Sequence, residues 1–163
     1  MPDQPRKRGW SGCVDTTHAS PLPTGPIQQS ATGNAMNLVP VLAVGFGAFA
    51  GAVLRWMLGI ALNPLLPNLP LGTLAANLIG GLIMGIAMGA FAHFEAMPIA
   101  ARLALTTGFL GGLTTFSTFS AETVTLFLRQ QYAWTAAIIA THLVGSLLMT
   151  LAGIGLVRLL LRA

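Results

Sequence analysis

Long apolar blocks separated by short polar or proline-bearing stretches set the pattern of this chain, at residues 38–62, 71–92, 102–128 and 132–161. At 1.5 Å of rise per residue, each block reaches the roughly 20 residues that a helix needs to cross the hydrocarbon core. The pattern therefore predicts an all-α membrane protein with four transmembrane helices per subunit. Pro64, Pro67 and Pro70 stop helices between the first two blocks, residues 93–101 with Glu95 and Pro98 separate the second pair, and Arg129-Gln130-Gln131 separates the third. Four spans place both ends of this region on one side.

Residues 1–35 follow neither a helical nor a strand period and are rich in Pro, Gly, Ser, Thr and Gln, with one basic run, Arg6-Lys7-Arg8. Such a segment cannot bury enough apolar surface to order itself, so a disordered tail is expected. It has no compact apolar stretch ending at a small-residue cleavage site, as a signal peptide would. Met36 stands immediately before the first block. The expected organisation is a dispensable or misassigned tail over 1–35 and a four-helix membrane domain over 36–163, with Met36 as the true start.

Composition agrees with the membrane reading. Hydrophobic residues make up 54% of the 163 residues and charged ones 7%, against about 25% charged in soluble domains. Net charge is +4 and the pI about 10.7, but the basic residues are few and flank the apolar blocks, which excludes a nucleic-acid face. Cys13 is a lone cysteine and offers neither a disulfide nor a metal pair. With the tail set aside, Arg102, Arg158 and Arg162 lie on the terminus side and Arg129 on the other, with Arg55 inside the first span near its far end, a bias of three against one or two. So weak a bias suits insertion both ways, as an antiparallel homodimer of one gene product requires, and equally suits a small protein with its N-terminus inside.

Small residues recur at spacing four, with Gly47 and Gly51 in the first block and Gly81, Gly85 and Gly89 in the second. Such stripes let helix backbones approach closely, either within one subunit or between copies. A bundle this small barely encloses an aqueous path, so a transport route is expected to be lined by two or more copies.

Polar side chains inside spans carry the chemistry, because hydrocarbon penalises them. Arg55 either snorkels to the interface or lines a vestibule that attracts anions. Asn77 shares a helix face with Thr73 and Gly81; it either bonds a neighbouring helix or, with Thr73, offers donors to a dehydrated anion. In the third block, Gly108, Gly111 and Gly112 precede a Thr/Ser run, a poor continuous helix by propensity. A broken helix is predicted here, tolerated where protein or a cavity surrounds it, with freed carbonyls suited to a hard cation such as sodium. Phe116 and Phe119 lie three apart on one face, each followed four residues later by a hydroxyl, Ser120 and Thr123. A ring edge is positive and attracts an anion without a full charge that would hold it too tightly. Glu122 is either a proton or substrate site or a gatekeeper. His93 is expected at the interface and His142 as a polar-bond residue. No nucleophile and base, Walker loop or paired carboxylates are present, so enzyme activity is unsupported.

From Met36 onward the chain resembles the CrcB/Fluc fluoride channels. The resemblance rests on the runs 47–56, 72–85 and 108–122, the last reading GFLGGLTTFSTFSAE. It implies an antiparallel, dual-topology homodimer in the cell inner membrane, with fluoride as the permeating ion and a structural sodium at the dimer centre. Carried over by position, Gly111 and Thr114 resemble the sodium ligands, Phe116 and Phe119 the aromatic box, Asn77 the polar pore residue and Arg55 the vestibule cation. Thr73, Thr118 and Ser120 are looser pathway candidates, and Glu122 resembles the acidic position beside the pathway. In the fourth helix the family carries a polar track with a Tyr and a Ser; here Ile138 and His142 stand at those places while Ser146 is retained, which leaves the outer pathway open and makes conduction pH-dependent if His142 titrates in it.

Two rival readings make different demands. A proton-coupled exporter of the small multidrug resistance type needs a carboxylate deep in the first span, where this chain has Arg55 and no Asp or Glu. A membrane scaffold without transport gives the hydroxyls and phenylalanines of the third span no task.

Overall fold

The computed structural model describes residues 38–66, 68–94 and 96–162, so the expected tail and start at Met36 lie outside the described residues. Within them every regular element is helical. Helix α1 (Leu38–Leu62) continues into a short 3-10 turn at Asn63–Leu65, and α2 covers Leu71–His93. The third span is composite: α3 (Ile99–Leu103), a π-helical stretch Ala104–Leu110, α4 (Gly111–Leu113), and α5 (Phe116–Leu128). Helix α6 (Tyr132–Leu160) closes the order. Four spans are long and apolar enough to cross a membrane: Leu38–Leu65, Leu71–His93, Ile99–Leu128 and Tyr132–Leu160.

The stops are chemical. Pro64 sits in the first turn of the 3-10 segment and Pro70 precedes α2, where a missing N–H costs nothing. Asn63 then closes the hairpin, its Oδ1 accepting from Gly72 N–H at 2.8 Å. The third span starts at Ile99, earlier than the expected Arg102, because Pro98 sets the turn and its carbonyl accepts from the Ala101 and Arg102 amides. Arg102 is accommodated inside that first turn: its guanidinium donates to Phe94 O at 3.0 Å and lies 5.0 Å from the Phe91 ring centroid. Between α5 and α6, Gln130 has φ 59°, its amide reaching Phe127 O while Gln131 N–H reaches Leu126 O. That is a Schellman closure with a non-glycine residue in the left-handed position.

Packing pairs α1 with the third span and α2 with α6. A Cβ at Gly51 would collide with Phe109 O, and one at Gly85 with Thr150 O. Gly47 lies against Ala104 and Phe109, Gly81 against Ser146 and Thr150, and Gly89 against Val157. Both glycine stripes are therefore occupied within the chain, and support for pairing of copies does not come from them. Only 6% of the most apolar window of the first span is buried against the rest of the chain. The small central cluster is Ala76, Leu110 and Leu113, with Leu54, Leu58, Ile83, Met84 and Phe109 packed on it.

Candidate ion pathway

The site is built around two extended residues inside the third span. Thr114 has φ −81° and ψ 152°, Thr115 φ −147° and ψ 115°, between the end of α4 and the start of α5. Asn77 of α2 reads the backbone of Thr115 on both sides: Thr115 N–H donates to Asn77 Oδ1 at 2.8 Å, and Asn77 Nδ2 donates to Thr115 O at 3.2 Å. The Thr115 side chain caps α5, accepting from Thr118 N–H at 3.2 Å and donating to Thr118 Oγ1 at 3.0 Å. Arg55 Nε donates to Gly112 O at 3.0 Å. A continuous helix would close Gly111 O with the Thr115 amide and Thr114 O with the Thr118 amide. Both amides are engaged elsewhere, by Asn77 and by the Thr115 hydroxyl.

An aromatic column continues from this point. The Phe116 and Phe119 ring centroids are 5.6 Å apart and tilted by 56°, and Phe119 stacks on His142 at 4.9 Å. His142 is 4% exposed, and its Nδ1 lies 3.0 Å from Asn77 Nδ2. These side chains border a cavity of about 840 Å³ whose wall also includes Gly111, Thr114, Ser120 and Ser146. Phe116 is 79% exposed although it belongs to that wall. The Thr123 and Thr150 hydroxyls on the same wall donate to Phe119 O and Ser146 O, one turn back along their own helices.

A second cavity of about 450 Å³ holds Arg55, Trp56, Thr73 and Thr118. Thr115 borders both cavities, so the extended residues are the partition between them. Glu122 stands beside it: Thr73, 5% exposed, donates through Oγ1 to Glu122 Oε1 at 2.8 Å, while Oε2 is buried and meets no partner among the described residues.

The sequence-predicted residues other than Glu122, which lines neither cavity, thus fall into two groups. Asn77, Phe116, Phe119, Ser120, Ser146, Gly111 and Thr114 share the larger cavity; Arg55, Thr73 and Thr118 share the smaller. Asn77 donates to both Thr115 O and His142, which makes it a clamp on the backbone. Ile138 is 0% exposed and packs in the interior, while its neighbour Ile139 borders the cavity. His93 ends α2 and is exposed, as expected of an interfacial residue. Thr115 was the residue that sequence reasoning passed over, and its signal was the N-cap position it holds ahead of Phe116.

Comparison with known proteins follows the same segments. Residues 42–154 match the family model described as CrcB-like protein, Camphor Resistance (CrcB). A protein named fluoride-specific ion channel FluC from Nitrosospira multiformis is 63% identical over 119 residues, covering 73% of this chain and 93% of that relative. Relatives of the same name are 53% identical over 118 residues in Nitrosomonas europaea (72% of this chain, 93% of the relative) and 52% identical over 126 residues in Tolumonas auensis (77% and 99%).

Proposed function

The chain belongs to the CrcB family as a multi-pass membrane protein, and on that premise we propose that it is a fluoride-selective channel that lets fluoride leave the cytoplasm passively and so relieves its toxicity. The observation that carries the reading is the tilted Phe116–Phe119 pair in the wall of a cavity that also holds Ser120 and Ser146. Positive ring edges and hydroxyl donors replace the water of a small, hard anion without a full opposing charge that would trap it. Arg55 and Thr118 in the adjoining cavity form the vestibule that draws anions towards Thr115. Thr73 holds Glu122 to one side, which keeps one carboxylate oxygen out of the route.

We read Thr114 and Thr115 as the break in the third span, and the donor chemistry there fits a structural sodium. Gly111 O and Thr114 O have lost their helical amides to Asn77 and to the Thr115 hydroxyl, and hard carbonyl oxygens suit that ion. When bound, sodium supplies a fixed positive charge that holds the two carbonyls together; Asn77 and Arg55 keep the backbone open for it.

The working unit in this reading is an antiparallel homodimer inserted with dual topology. A lining ring as exposed as Phe116 needs a second surface to enclose the path, and a second copy provides it. Purified protein in liposomes, read with a fluoride electrode, tests the proposal. Rapid fluoride loss with negligible chloride loss is expected, with Phe116→Ile or Phe119→Ile lowering the rate by at least about tenfold, on the order of one to two kcal/mol of lost ion stabilisation. Proton-coupled transport in place of passive efflux would point instead to an exporter of the small multidrug resistance type.

A further inference from the structure

The smaller cavity is furnished with donors. Among the described residues its wall carries no carboxylate, and two of its hydroxyl protons are already committed, that of Thr73 to Glu122 and that of Thr115 to Thr118. Arg55 directs Nε to Gly112 O, and its two Nη groups have no hydrogen-bond partner among the described residues. Asn63 stands on the same wall, in the 3-10 turn that ends the first span and roughly 12 Å beyond Arg55 by helix rise.

The orientation of the Asn63 carboxamide follows from its partner, since an amide oxygen and nitrogen are alike in shape. Gly72 N–H can only donate, which turns Oδ1 towards α2 and Nδ2 away from it. The start of α2 lies tight against the end of α1, where a Cβ at Gly72 would collide with Leu58 O and Gly59 Cα. Nδ2 lies over Gly59, 3.6 Å from where a Cβ would stand, and Gly59 also lines the cavity. Nδ2 donates to nothing among the described residues, and unlike the orphaned atoms of Glu122 and His142 it is not sealed from solvent. Positions 55, 59 and 63 recur at spacing four along one face, and the middle one, a glycine, puts no side chain between the guanidinium and the carboxamide.

We propose that Asn63 Nδ2 is the outer hydrogen-bond donor of the vestibule, meeting the anion at the end of the span before it reaches Arg55. This rests on the channel reading. Arg55 supplies the attraction, because a positive charge in a low-dielectric cleft raises the local anion concentration. Asn63 supplies N–H donors that replace water without a charge that would hold the ion. Its bond to Gly72 presents those donors already oriented, so no rotamer has to be frozen when the anion arrives.

Asparagine side chains labelled with ¹⁵N in the full chain test this. The Nδ2 resonance of Asn63, identified by its loss in Asn63→Asp and in Asn63→Ser, should shift saturably on adding sodium fluoride and stay in place with sodium gluconate at equal ionic strength. In liposomes, Asn63→Asp keeps an acceptor for Gly72 N–H but exchanges the donor for an oxygen, and should lower fluoride efflux about tenfold while the unfolding midpoint in detergent holds. Asn68→Asp adds the same charge to the same α1–α2 connection outside the cavity and should leave efflux unchanged. Equal losses in the two aspartate variants, a wild-type rate in Asn63→Asp, or an Nδ2 resonance indifferent to fluoride would each overturn the role of Asn63. Wild-type protein without fluoride efflux would defeat the channel reading itself.

Discussion

The third span and α6 are close in length and composition, yet the third span carries two extended residues, Thr114 and Thr115, and α6 is helical for 29 residues. Both carry several glycines and threonines. In α6 the threonines back-bond to carbonyls of their own helix, Thr135 to Gln131 O and Thr150 to Ser146 O, while Gly153 admits the α2 backbone at Leu82. The third span also contains a back-bonded threonine, Thr106 on Arg102 O, but at Thr115 the main chain finds a better partner outside the span. Asn77 offers an acceptor and a donor at the spacing of one residue's N–H and C=O. Poor propensity permits extended residues there; a partly buried carboxamide from another helix pairs with the backbone of one of them.

The strongest way to break this comparison is Asn77→Leu. It strands the partly buried Thr115 amide and carbonyl and should cost about 1–3 kcal/mol, with fluoride efflux lost. Denaturant unfolding in detergent beside the liposome assay measures both, and unchanged stability would mean that the third span holds its own extended residues. Thr115→Ala is the next test. It removes the α5 cap but keeps the Asn77 clamp, so about 1 kcal/mol should be lost, with Thr115→Ser restoring it. The smallest effect, and opposite in sign, belongs to Gln130→Gly at the α5–α6 turn. Relieving a left-handed non-glycine residue should raise stability by up to about 1 kcal/mol and leave the efflux rate untouched. A drop in efflux there would show that the turn and the pathway are coupled.

Much of the fold was legible because its signals are local. Block length and proline positions placed four spans to within a few residues, the exception being the start at Ile99, where a charged Arg102 looked like a boundary and proved to be an anchor. The polar and aromatic residue types that line the two cavities were legible in the sequence. Their division into two cavities was not, since nothing in the run 108–122 says that Thr115 faces both. The glycine stripes showed close approach but not the partner, which is another span of the same chain.

The sequence by itself determined that this chain lives in a membrane, how many times it crosses, and which polar groups lie within the spans. Those are matters of hydrophobic length and breaker positions, summed along neighbouring residues. Only the tertiary structure decided what those polar groups do. Asn77 and Thr115 are 38 residues apart and Asn77 and His142 are 65 apart, and a hydrogen bond between distant residues has no trace in local propensity. Those bonds exist only once the helices have packed.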